Sequence, residues 1–137
     1  MIKAFIDTNV LIDLLLEREG YQDAANILLL QKEQKCTLWL SSLTMANIAY
    51  ILRKKFRGLE LYSALNKLKV FFNIVDLTSA NVESALSLQA DDFEDALQYF
   101  SAGNVDANVI VTRNEKDFCF STIKIVSPKC FLKEYMK

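Results

Sequence analysis

The 137 residues carry 16 Lys and Arg against 17 Asp and Glu. A net charge of −1 excludes a general electrostatic pull toward nucleic acid or anionic membrane, so any polyanion has to be met by a local patch. With 52% hydrophobic residues, 3 Gly and 1 Pro, the composition excludes a disordered tail and predicts a single helix-rich domain over residues 1–137.

In chain order, IKAFI (2–6) predicts a buried strand. Apolar positions 10, 11, 14 and 15 predict a helix from Val10 to Arg18. YQDAANILLLQKEQ (21–34) predicts a second helix and TLWLS (37–41) the second strand. SLTMANIAYILRKKF (42–56) predicts a third helix, capped by Ser42 or Thr44 and closed by Gly58, and helix continues over 59–72. NIVDL (73–77) predicts a strand, followed by a helix that Thr78 or Ser79 caps and that runs to about Ala90. DDFEDALQYFSA (91–102) predicts a helix ending near Gly103-Asn104, NVIVT (108–112) and KIVS (124–127) predict strands, and Pro128 opens a helix to Met136. Strands that alternate with helices and lack polar alternation predict an α/β fold, three layers α/β/α with a central, mostly parallel sheet of four to five strands.

Chemistry is narrowed by what is missing. There is no His, which excludes Ser-His-Asp and Cys-His catalysis and His-ligated zinc and leaves carboxylates as the reactive groups. Cys36, Cys119 and Cys130 lack metal-ligand spacing and read as free thiols of a reducing, cytoplasmic setting. No apolar run reaches the roughly 18 residues of a membrane span. Asp7 and Asp13 interrupt the first apolar stretch, so neither a signal peptide nor a membrane association is expected.

In open parallel sheets ligands bind beyond the carboxyl ends of the strands. Asp7 falls at that end of the first strand, and Thr112, Arg113 and Asn114 follow NVIVT with Asp117 three residues on. Asp91, Asp92, Glu94 and Asp95 open the helix before that strand, and Asn47 lies on the helix after the second. Two unit charges about 4 Å apart repel by about 4 kcal/mol at an effective dielectric near 20. A divalent cation offsets that repulsion, and oxygen ligands favour Mg²⁺ or Mn²⁺, so metal-assisted phosphodiester hydrolysis is the expected reaction class. Each residue also has a plainer reading. Asp7 can cap the helix after it, the DDFED run has capping spacing and suits a helix N-terminus, and Asp117 can be a turn acid. Asp95 lies nearly opposite the Phe93, Leu97, Phe100 stripe, which favours the plainer reading for that run. Asn47, among apolar neighbours, can be a structural hydrogen-bonder or a site residue.

Taken together the motifs resemble the PIN-domain family, the ribonuclease fold of VapC-type toxins, over nearly the whole chain. FIDTNVLIDLL is similar to the family's opening strand-turn-helix, SSLTMANIAYIL to its third helix, EDALQYFSA to the helix carrying its third acid, and VIVTRNEKDF to its closing T-R-[ND]-x-x-D-F motif. The resemblance implies catalytic or metal-holding roles for Asp7, Asp95 and Asp117, with Asp92, Asn47 and Asn114 beside them and Thr8, Asn9, Thr112 and Arg113 in support. It implies a Mg²⁺- or Mn²⁺-dependent endoribonuclease working through a metal-activated water, a homodimer, and an antitoxin partner. Asn47 stands where the family usually has Glu, which removes a charge and leaves a catalytically weak or inactive PIN-like RNA- or protein-binding module as the alternative. Arg53, Lys54, Lys55 and Arg57, with Phe56 among them, form the densest basic cluster and read either as an RNA contact or as a solvated helix end. Haloacid-dehalogenase chemistry needs a second aspartate where Asn9 stands, and a receiver domain needs an N-terminal acid pair; neither fits.

Overall fold

The computed structural model of the chain describes residues 1–135, and the expected helix end at Met136 lies outside them. Strands β1 (Ile2–Ile6), β2 (Cys36–Ser41), β3 (Asn73–Val75), β4 (Val109–Val111) and β5 (Lys124–Val126) form one sheet in the order β3-β2-β1-β4-β5. Every pairing is parallel. The helices are α1 (Thr8–Leu16), α2 (Tyr21–Lys32), α3 (Ser42–Leu52), α4 (Leu59–Phe71), α5 (Ser79–Leu88), α6 (Phe93–Asn104) and α7 (Pro128–Tyr135). This is the expected α/β/α arrangement with a fully parallel, five-stranded sheet.

Alternation along β1 sets the layers. Ala4 and Ile6 face a core that α1, α2, α3, α4 and α7 fill with Val10, Leu11, Ile27, Leu30, Ile48, Leu52, Leu68 and Phe131. Phe5 points the other way, packing with Ile110, Ala102 of α6 and Phe118. Burial on both faces explains why the strands lack polar alternation. Phe5, Leu38, Leu40 and Ile110 are fully buried, and truncating such a side chain to Ala typically costs about 2–5 kcal/mol.

The chain order places the site. From β1 the chain runs outward through β2 and β3, then returns to build β4 and β5 on the other side. The sheet order therefore reverses between β1 and β4, where their diverging connections open a crevice at the carboxyl ends. Asp7 and Thr112 follow those two strands directly, and the Asp7 N–H donates to the Val111 carbonyl at 3.0 Å.

Element boundaries around α3 depart from expectation. α3 stops at Leu52 rather than continuing to Phe56, and Ser41 rather than Ser42 caps it, through a reciprocal box with Thr44. Gly58 does not close α3; with φ of 56° it precedes α4. α6 ends at Asn104, where its sequence predicts. Two expectations at the caps hold, since Thr78 caps α5 and Asp92 caps α6, Asp92 accepting from Asp95 N–H at 3.1 Å.

Candidate active site

Asp7 occupies the N-cap position of α1, yet its side chain makes no cap bond. Its carboxylate instead turns across the crevice and accepts from the Thr112 hydroxyl at 2.9 Å. Thr112 is itself fixed, accepting from Asn114 N–H at 3.0 Å. Asp7 is 4% exposed, and burial pushes its carboxyl up from 3.8, while Thr112, the Gln98 side chain and the Thr8 N–H favour the ionised form and the charge of Asp117 opposes it.

The other acids arrive on α6 and on the short 3-10 turn Glu115–Phe118. Burial lifts the Asp95 carboxyl to about 7, helped by the charges of Asp92, Asp7, Asp117 and Glu94. Those causes establish that carboxylates from three separate chain regions share one electrostatic neighbourhood. Asp92 combines both roles weighed for it, capping α6 while adding charge beside Asp95. Buried Phe118 pins the 3-10 turn that presents Asp117. A cleft of about 240 Å³ lined by Asp92, Asp95, Lys116, Asp117 and Phe120 opens onto this cluster.

The helical phase of α6 corrects the expectation for Asp95. Its buried side chains are Ala96, Leu97, Gln98, Ser101 and Ala102, whereas Phe93 is 45% exposed. Asp95 is opposite Phe93, but Phe93 faces out; Asp95 shares the inward line of Gln98 and Ala102, three and seven residues on. Of the expected Phe93, Leu97, Phe100 stripe only Phe93 turns out; Leu97 is buried, Phe100 half-buried, and Ala96, Gln98, Ser101 and Ala102 widen the buried face.

Several expected members do not join the cluster. Arg113 turns away, its Nε bonding Asp13 Oδ2 at 2.8 Å. Asn114 contributes its backbone, opening the 3-10 turn, and neither it nor Asn9 makes a side-chain hydrogen bond among the described residues. Thr8 Oγ1 is buried without a partner. Arg53, Lys54, Lys55 and Arg57 occupy the α3–α4 connection, where Arg53 stacks on Tyr50 with its guanidinium carbon 3.7 Å from the ring centre. Asn47 makes no structural bond that would settle it as a core amide: its Nδ2 is buried and unpartnered.

One residue absent from the sequence expectation, and one named there only within the DDFED run, belong here. Gln98, 1% exposed, supports Asp7 and leaves its Oε1 without a partner. Glu94 is pushed up by burial and by Asp92 and Asp7, and held down by the Asn47 amide. Their signal was a polar residue one turn from Asp95 on an alanine-rich face, and an acid adjacent to it.

The donor set is all oxygen and mutually repulsive, which suits a hard divalent cation. Among the described residues no three acids are spaced as a formed metal cage. The fit is one of charge and ligand chemistry.

The family model described as PIN domain matches residues 3–116. No curated protein sequence matches the chain. Among solved structures, VapBC-1 from nontypeable Haemophilus influenzae superposes with a TM-score of 0.72 at 16% identity, covering 93% of this chain and 99% of that one. VapBC2 from Rickettsia felis, bound to a DNA fragment from its promoter, gives 0.68 at 18% identity over 92% and 98%. A toxin-antitoxin complex from Klebsiella pneumoniae gives 0.62 at 24% identity over 91% and 97%. At these identities the likeness is one of fold.

Proposed function

The chain belongs to the PIN-domain family, and from that membership and its acidic crevice we propose that it is a Mg²⁺- or Mn²⁺-dependent endoribonuclease, the toxin of a toxin–antitoxin pair. The observation that carries this reading is the shared neighbourhood of Asp7, Asp95 and Asp117 at the sheet's switch point, with Asp95 lifted to about 7 by burial and, after it, by the acids around it. Nothing but a cation or protons relieves such a cluster.

Asp7, Asp95 and Asp117, with Asp92 at their side, would hold the ion. When bound, it supplies a water of lowered pKa and offsets charge on the phosphate. The chain's own residues do the rest. Thr112 and Gln98 fix the rotamer of Asp7, and burial of Asp7 excludes competing solvent from its oxygens. Asp92 ties the first turn of α6 to the cluster through the Asp95 N–H. Arg113 does not reach the phosphate in this reading; it anchors α1. The basic connection Arg53, Lys54, Lys55 and Arg57 begins about 9 Å along α3 from Asn47 and offers an extended RNA backbone its cationic track.

Purified protein incubated with mixed RNA substrates and Mn²⁺ tests the reading. Cleavage that needs the metal and disappears in Asp7→Asn supports it. No cleavage and no Mn²⁺ uptake by calorimetry instead supports a PIN-like binding module without activity, the reading that Asn47 favours.

The partners proposed are an antitoxin and a second copy of the chain. For the latter, α4 presents Leu59, Tyr62 and Val70 to solvent along one side. Among the described residues no helix is long and apolar enough to cross a membrane. Cys36, Cys119 and Cys130 are free thiols, in keeping with the reducing cytoplasm proposed as its location.

A further inference from the structure

A second cavity opens on the face of the sheet that carries α1, α2 and α7. Its volume is about 530 Å³, within the roughly 300–1,000 Å³ of ligand sites, and Val10, Asp13, Gly20, Arg113 and Pro128 line it. It adjoins the acidic crevice. Val10 stands three residues after Asp7, and Arg113 directly follows Thr112, whose hydroxyl donates to Asp7 at 2.9 Å.

Asp13 is the unsatisfied wall of this cavity. It is 2% exposed, and an ionised carboxylate can accept about four hydrogen bonds. Among the described residues its side chain has one partner, Arg113 Nε at 2.8 Å, and Oδ1 is buried with none. A buried acceptor left open is costly unless a donor arrives. Gly20 keeps the approach to the carboxylate clear: at φ of 94° it carries no side chain where a Cβ would stand 3.1 Å from Asp13 Oδ2.

The charges select the class of ligand. An ammonium or guanidinium would satisfy Asp13 but would meet Arg113 beside it. A phosphate would suit Arg113 but brings no donor, and Asp13, Glu19 and Asp23 repel it. A neutral group with an N–H next to an acceptor serves both members of the pair, the N–H going to Asp13 and the acceptor to Arg113, which is 43% exposed. A backbone amide does not, because its N–H and C=O point in opposite directions. The Watson–Crick edge of every nucleobase does, and its flat ring suits the apolar surfaces of Val10 and Pro128.

We propose that this cavity is a base-reading subsite, in which Asp13 and Arg113 hold the edge of an unpaired base next to the phosphate that is cut. The assignment rests on the ribonuclease reading given above and adds to it the residues that read sequence.

The full chain, isotope-labelled and held in chelator so that RNA stays intact, tests it by NMR. The sequence has three glycines, so the Gly20 amide is readily followed. A single-stranded RNA hexamer of mixed sequence should shift that amide, and an abasic ribose-phosphate hexamer should not. By fluorescence anisotropy, Asp13→Asn should bind the mixed hexamer at least about fivefold more weakly than the wild type, while binding the abasic one equally. A Gly20 amide unmoved in RNA-saturated wild type overturns the assignment, as does one moved equally by the abasic hexamer. So does a folded Asp13→Asn with wild-type affinity; if that variant does not fold, the wild-type amide decides. A wild type that binds no RNA at all overturns the ribonuclease reading itself, which separates the two failures.

Discussion

At the scale of single residues, the site turns on side chains that sit where a structural role was available and do something else. Asp7 has the position of a helix cap, but its oxygen goes to Thr112 and only its backbone carbonyl serves α1, accepting from Val10 N–H at 3.1 Å. The sequence left those two roles open because an acid after a strand and before a helix serves either; only the direction of the side chain separates them. Gln98 was illegible for a related reason, since one glutamine on a helix carries no spacing of its own. The acids make a prediction about pH. Asp7, Asp13, Glu94 and Asp95 are all pushed upward, burial being the largest cause in each. For Asp95 the folded chain keeps its proton up to about 7, whereas the unfolded chain releases it near 3.8. The folded state therefore binds more protons in that window, and stability must fall as pH rises through it. Without metal, the melting temperature should be lower at pH 7.5 than at pH 5, and Mn²⁺ should raise it more at the higher pH, where the ion displaces fewer protons. Scanning calorimetry at the two pH values, with chelator and with Mn²⁺, checks both signs; a melting temperature that rises with pH in chelator contradicts them.

At the scale of elements, boundaries were legible where a cap or a turn residue announced them and illegible where packing decided. Thr78 and Asp92 cap α5 and α6 as their sequences promise. α3 ends four residues early, and the run Arg53 to Phe56 becomes a turn that still brings Phe56 against the core. The face of α6 was misjudged because its buried arc is wider than the expected stripe, running from Leu97 through Gln98 and Ser101 to Ala102, with Phe93 turned outward. The connection between α1 and α2 carries a feature that the sequence did not reveal at all. Asp13, 3% exposed in its side chain, pairs with Arg113 from beyond β4, and its Oδ1 has no other partner. Gly20, at φ of 94°, closes the loop over it, and a Cβ there would stand 3.1 Å from Asp13 Oδ2. Removing one partner of such a pair leaves a buried charge, so Arg113→Ala should destabilise by about 3 kcal/mol, the lower end of the range because Arg113 is 43% exposed. For a chain of this size that lowers the melting temperature on the order of 10 °C. Adding Asp13→Asn should recover most of the loss, which a purely steric role for Arg113 does not allow; thermal melts of the three variants decide it.

At the scale of the whole molecule, the parallel sheet follows from apolar strands with helices between them, while its order β3-β2-β1-β4-β5 was not legible in the sequence. A parallel sheet collects the ends of its strands on one side, and Asp7 and Thr112 stand there. Strand patterning does not fix what covers the outside. α4 shows why. Ala64 and Leu68 face the core, while Leu59, 87% exposed, Tyr62 and Val70, 77% exposed, stand on the opposite side at intervals of three and eight residues. Phe71 extends the same surface, and Tyr50 and Ile51 expose further apolar area on α3. An apolar stripe of this length on a surface helix calls for a partner, and helical amphipathicity counts both faces alike, so the sequence could not say which one points outward. In the homodimer proposed above, a second copy packing α4 against α4 about a two-fold axis would cover the stripe with itself. Sedimentation equilibrium of the wild type at tens of micromolar should then return a dimer mass. Tyr62→Glu combined with Val70→Glu would bring two like charges from each copy into the seam and should return a monomer, with the helical content unchanged because both side chains are solvent-facing in the single chain. A wild type that sediments as a monomer, or a double variant that stays dimeric, removes the α4 face as the self-association surface.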